Sequence, residues 1–128
     1  MEHTITTGIV GEETMIVEKK DTAAALGSGL AEVYATPAMV AFMENTAYKS
    51  IEAYLPEGYS SVGTEINVQH LKATLPASKV TCKSVITKIE GKKIHFEIEA
   101  QDEKGIIGKS EHIRYIIHSE TFLSRLSE

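Results

Sequence analysis

Glu44, His70 and Thr36 are polar residues at positions that the surrounding sequence marks as apolar or as a helix start. Residues 36–55, TPAMVAFMENTAYKSIEAYL, have helical spacing, in which each residue advances about 100° around the axis. With Glu44 at zero, Val40 lies at about −40°, Ile51 at about −20°, Ala47 at about −60° and Leu55 at about +20°. Asn45, Lys49 and Glu52 fall at roughly +80° to +140°, on another face. A carboxylate in an apolar stripe is costly unless it is hydrogen-bonded, protonated or facing a cavity. Glu44 is therefore either a catalytic carboxylate or a stripe-edge side chain that reaches solvent or pairs with an arginine. His70 shares strand parity with Val62, Ile66 and Val68, which aims its imidazole at the face they bury. There it either donates to a core carbonyl or moves protons near neutral pH. His95, His112 and His118 carry no comparable signal. Thr36, followed by Pro37, reads as a helix N-cap. The same position offers a hydroxyl beside unpaired N–H groups and the positive end of the helix dipole, which suits an oxyanion or a thioester carbonyl. Eight residues of helix separate Thr36 from Glu44 by about 12 Å. If they share a site, either substrate or water bridges them, or Thr36 works with Glu44 of a second subunit, so a dimer is expected.

The elements that would position these residues are one long helix and several strands. Thr36-Pro37 starts the helix, and Pro56 and Gly58 end it at Leu55. Alternation then predicts a half-buried strand from Ser60 to Thr74. A strand from Lys79 to Glu90 has Val80, Cys82 and Ile86 on one side and Val85 and Ile89 on the other, so both its faces are covered. Glu90-Gly91-Lys92 turns the chain into Ile94–Ala100, where Ile94, Phe96, Ile98 and Ala100 alternate with His95, Glu97 and Glu99. Asp102–Gly105 turns it again into Ile106–His118, completing an antiparallel meander. Upstream, Thr14–Lys19 reads as a strand and Asp21–Leu26 as a capped helical turn ending in Gly27-Ser28-Gly29. The expected class is α+β, a curved antiparallel β-sheet wrapped around one long central α-helix.

A chain of 128 residues, 42% hydrophobic and 24% charged, fits a single domain over 1–128. Its formal charge of −5 leaves no broadly basic surface for nucleic acid. The near-apolar run Ala35–Met43 is much shorter than the roughly 20 residues that span a bilayer, so no membrane association is expected. The first residues lack the basic start and apolar core of a secretory signal, and the expected location is cytoplasmic. Cys82, the one cysteine, reads as a small buried filler. No HxH, HxxxH or paired carboxylate–histidine spacing points to a metal near the proposed site.

Three stretches in order carry a resemblance: VYATPAMVAFMENTA (Val33–Ala47), SSVGTEINVQHLKATLP (Ser60–Pro76) and GKKIHFEIEAQDEKGIIGKSEHIR (Gly91–Arg114). The sequence resembles the hot-dog fold acyl-CoA thioesterases, in particular the fluoroacetyl-CoA thioesterase branch. The resemblance implies a five-turn helix in an antiparallel sheet, a homodimer or a dimer of dimers, and a site at the subunit interface. It places the catalytic Thr, Glu and His on Thr36, Glu44 and His70, and a glycine beside the acyl pocket on Gly63. It places an arginine near the substrate entrance on Arg114, whose other reading is a surface or interface ion pair. Leu30 stands where the fluoroacetyl enzyme has a lid phenylalanine, which favours a general short or medium acyl-CoA as substrate. No cofactor is implied, because coenzyme A arrives as part of the substrate. Two other readings stand beside hydrolysis. One is a non-catalytic acyl-CoA or lipid-binding module. The other is a hydratase or dehydratase, disfavoured because Lys49 stands five residues after Glu44, where such enzymes usually complete an Asp–His pair.

Overall fold

A computed structural model describes residues 3–128. In chain order its elements are β1 (Val10–Ile16), a 3-10 turn (Lys19–Asp21), α1 (Ala23–Leu26), α2 (Thr36–Glu52), β2 (Tyr59–His70), β3 (Lys79–Glu90), β4 (Lys93–Asp102), β5 (Gly105–His118) and α3 (Ser119–Arg125). All five strands join one antiparallel sheet in the order β1-β3-β4-β5-β2. The expected α+β arrangement holds: α2 lies on one sheet face and buries Met39, Met43, Ala47 and Ile51 there. They form a single core with Val80, Cys82 and Ile86 of β3, Ile94, Phe96, Ile98 and Ala100 of β4, and Ile107 and Ile116 of β5. This removes apolar area from water on both layers at once, a gain of roughly 25 cal/mol per Å².

The simple meander is corrected. β3, β4 and β5 are consecutive neighbours, but β2 pairs with β5 at the far edge and not with β3. The connection after β2 crosses the end of the sheet instead of turning tightly. Leu71 N–H donates to the Ile107 carbonyl, the Thr74 carbonyl accepts from Tyr34 N–H, and Ala77 N–H donates to the Val17 carbonyl. These bonds carry the chain from the β5 side to the β1 side. β2 and β1 are left as the two edges.

Several boundaries shift for local reasons. Ala35 is the residue that caps α2, and Thr36 is its first helical residue, with no side-chain cap present. The helix closes at Glu52 because the next turn tightens: Tyr54 N–H reaches Ile51 and Leu55 N–H reaches Glu52, each three residues back. Thr22, not Asp21, caps α1 by accepting from Ala25 N–H, and Gly27 ends it in the left-handed conformation (φ 76°). The first strand lies earlier than Thr14–Lys19, and β2 ends at His70. Helix α3, absent from the expected elements, begins where the His118 ring accepts from Thr121 N–H. No helix of the described residues is long and apolar enough to cross a membrane.

Candidate functional site

Two bulges decide which side chains reach the inner face. In β2, register against β5 slips between Gly63 and Glu65, so Thr64 is an extra residue. Before it, Ser61 and Gly63 face α2; after it, Ile66, Val68 and His70 do. Val62 therefore does not share a face with His70, which corrects the uniform parity expected for this strand. In β5, Gln101 pairs with Ile106 but Ala100 pairs with Gly108, leaving Ile107 between them. This slip sets His112 opposite Phe96 and Arg114 opposite Ile94. Without it Glu111 would stand opposite Phe96.

The inner face carries two polar clusters. At the amino end of α2, Thr36 Oγ1 and His70 Nδ1 share a hydrogen bond of 2.8 Å. The edge of the His70 ring meets the buried Tyr34 ring, with centroids 6.5 Å apart. Burial lowers the His70 pKa from the usual 6.5, and the nearby Lys72 backbone opposes this in part without giving Nε2 a well-formed hydrogen bond. The imidazole is thus neutral at pH 7 and able to accept a proton. The first turn of α2 leaves its amides without internal partners. Pro37 has none, so those of Thr36 and Ala38 are the donors at this end.

The second cluster lies two turns along the helix. Glu44 Oε2 is 3.5 Å from Arg114 Nη1; the carboxylate side chain is 38% exposed and the guanidinium 8%. Arg114 Nε donates to Ser61 Oγ (2.8 Å), Nη2 to the Ser61 carbonyl (3.0 Å) and Nη1 to His112 Nε2 (3.1 Å). The guanidinium also lies 5.9 Å from the centre of the Tyr48 ring. Arg114 is buried, and its ion pair is neither on the surface nor across an interface but within the chain, with Glu44. Gly63 completes the cluster: a Cβ there would stand 2.7 Å from Glu44 Oε2 and 3.1 Å from His112 Cε1. Only a missing side chain lets the carboxylate lie so close to the strand.

Within one chain the clusters stay apart. Thr36 and Glu44 are separated by about 12 Å of helix axis, and Gly63 and His70 by about 20 Å of strand. Thr36 and His70 come together; Glu44 joins Gly63 and Arg114 instead. Leu30, on the loop after α1, is 98% exposed and packs on neither cluster. Cys82 is buried, and burial pushes its thiol up to about 11. His112 and Ser61 are the inner-face residues the sequence reading missed. Among the described residues, no three His, Cys, Asp or Glu side chains gather as metal ligands. A hollow of about 740 Å³ lies on the opposite sheet face, lined by Asn67, Gln69, Glu97, Glu99 and Glu111 among others, away from both clusters.

Comparison with known proteins bears on this arrangement. A family profile described as fluoroacetyl-CoA-specific thioesterase matches residues 17–120. The fluoroacetyl-CoA thioesterase of Streptantibioticus cattleyicolor is 35% identical over 97 residues, covering 76% of this chain and 70% of that one. A crystal structure of a fluoroacetyl-CoA-specific thioesterase variant superposes with a TM-score of 0.91 at 29% identity, covering 98% of both chains. A variant of that enzyme in complex with fluoroacetate and CoA gives 0.88 at 31% identity, covering 92% of this chain and 99% of that one. A thioesterase superfamily member from Thermus thermophilus gives 0.87 at 29% identity, covering 96% and 93%.

Proposed function

Because this chain belongs to the fluoroacetyl-CoA-specific thioesterase family, we propose that it hydrolyses a short or medium acyl-CoA to a carboxylic acid and free coenzyme A. The observation that carries the reading is the Thr36–His70 hydrogen bond of 2.8 Å at the amino end of α2. A hydroxyl held on a neutral imidazole, beside helix amides that can hold an oxyanion, is suited to attack on a thioester carbonyl. The Thr36 hydroxyl adds to the carbonyl carbon while His70 takes its proton. The C–S bond then breaks, and the proton passes from the imidazolium to sulfur. In the second half, a carboxylate draws a proton from water, which attacks the acyl-threonine ester; the acyl C–Oγ bond breaks, that proton passes to Thr36 Oγ1, and the acid is released. Coenzyme A is the leaving half of the substrate, and water is the sole co-reactant.

That carboxylate is Glu44 of a second copy. The separation of the clusters within one chain supports this assignment, and so does the position of β2 at a sheet edge. If β2 pairs antiparallel with its copy about a two-fold axis between Ile66 and Asn67, Gly63 of each copy falls opposite His70 of the other. Glu44, beside Gly63, then faces the Thr36–His70 pair across the interface. Leu30, exposed on its loop near the same end, is assigned to the acyl side of this mouth, and the setting is cytoplasmic. Free-thiol release from acyl-CoAs of graded length, fluoroacetyl-CoA included, tests the function. Turnover of short and medium esters is expected; binding without thiol release from any ester would replace the enzyme with a binding module.

A further inference from the structure

His112 is fully buried and belongs to none of the steps above. Its ring is fixed at both nitrogens. Nδ1 lies 2.8 Å from the Glu65 carbonyl, which can only accept, so Nδ1 carries the proton. Nε2 is then a lone pair, and Arg114 Nη1 donates to it at 3.1 Å. The ring is also tilted against Phe96, with centroids 6.0 Å apart. Glu65 supplies the bond from the strand position just after the β2 bulge, so the bulge that re-aims β2 also sets this tautomer.

We infer that His112 is a positioning residue: its Nε2 lone pair, with Ser61, fixes the Arg114 guanidinium, and Arg114 in turn fixes the Glu44 carboxylate beside Gly63. Ser61 takes Nε and Nη2, which leaves Nη1 to be shared between His112 and Glu44. Without an acceptor at residue 112, the guanidinium could turn its Nη1 edge wholly to Glu44 and draw the carboxylate along the strand. An imidazolium would do the same, because both of its nitrogens donate. Burial, the largest effect, favours the neutral ring that the geometry requires; the Glu65 carbonyl opposes it, the Arg114 charge adds to it, and Glu44 opposes it least. The role in turnover rests on the thioesterase reading; the hydrogen-bond chain does not.

Two substitutions separate positioning from packing. His112→Gln places an amide oxygen near the position of Nε2 and keeps the acceptor, while His112→Phe keeps the ring volume and removes it. Nitrogen-15 NMR of the wild type is expected to show His112 as the neutral Nδ1–H tautomer and a sharp, slowly exchanging Arg114 guanidinium signal. His112→Gln should retain that signal and stay within about threefold of wild-type kcat/KM, whereas His112→Phe should broaden it and lose about tenfold or more. An Nε2–H tautomer in the wild type would overturn the inference. So would a sharp Arg114 signal with undiminished kcat/KM in His112→Phe, or a folded His112→Gln as impaired as His112→Phe. If His112→Phe does not fold, the wild-type tautomer and His112→Gln still decide. If the wild type releases no thiol from any acyl-CoA, the thioesterase reading fails, and the NMR signals alone decide whether His112 positions Arg114.

Discussion

At the amino end of α2, Thr36 and His70 meet through one hydrogen bond, and His70 Nε2 is left without a partner. Two turns along the same helix, Arg114 spends its donors on Ser61 and His112 while facing Glu44, and His112 spends its own on Glu65. The first cluster has a hydroxyl, a neutral imidazole and free helix amides but no carboxylate. The second has a carboxylate beside Arg114, with the Ser61 hydroxyl engaged by the same guanidinium and no imidazole free to accept a proton. The loosely tied cluster can rearrange around a substrate; the tightly tied one can only present what it holds. Each lacks what the other supplies, which is why we place them together across two copies.

Removing the carboxylate should have the largest effect. Glu44→Gln is expected to lower steady-state thiol release by about 10²- to 10⁴-fold. It should leave a single-turnover burst and an acyl adduct on Thr36, detectable by mass spectrometry of the quenched enzyme; an unmodified Thr36 would remove it as nucleophile. His70→Ala breaks the other cluster and should cost about 10²-fold or more in kcat without trapping an adduct, because attack itself is slowed. Gly63→Ala sharpens the contrast with a single methyl. The Glu44 carboxylate must move from a Cβ otherwise 2.7 Å away, and displacing it should cost about 10- to 100-fold in kcat. The thermal unfolding midpoint should fall modestly, since the nearest atom ends a flexible side chain but the fixed His112 ring, 3.1 Å away, must also give.

Stability should follow the two buried imidazoles. His70 and His112 both titrate below 6.5 in the folded chain, chiefly because of burial. Between those lowered values and 6.5 the unfolded chain binds more protons, so stability falls as pH drops through that window and levels off beneath it. Urea midpoints should be lower at pH 5 than at pH 7.5, and His112→Gln should shrink the difference; an equal difference in that variant would take His112 out of the linkage. Leu30→Ala should do least to folding, within about 0.5 kcal/mol, because the side chain is almost wholly exposed. A change in KM that depends on acyl length would place it at the substrate mouth.

Much of this was legible in the sequence, and the gaps have a common cause. Helical periodicity marked the long helix and unbroken alternation marked β4, whereas β3, whose register slips between Ile86 and Lys88, showed apolar residues of both parities. The angular position of Glu44 separated it correctly from Asn45, Lys49 and Glu52. Thr36 and His70 each stand out by a local pattern, but their hydrogen bond follows from the crossing of α2 over the end of β2, which no local pattern records. Bulges hid the rest. Thr64 reverses the parity of β2, so Ser61 and Gly63 turn inward where Val62 was expected. Ile107 does the same in β5, where isoleucines of both parities left no clear face and His112 looked unremarkable. The place of β2 beside β5 was also invisible locally, because the crossing segment depends on bonds to Ile107, Tyr34 and Val17.

Mixing two inactive variants tests the composite site most directly. Glu44→Gln and Thr36→Ala, each purified, are combined, dissociated and allowed to reassociate, and thiol release is measured. If one copy supplies Thr36 and His70 and the other Glu44, half of the randomly formed dimers are mixed and each holds one intact site. About one quarter of wild-type activity should then return. Activity no greater than that of the separate variants, in a mixture shown to have exchanged subunits, would contradict the shared site.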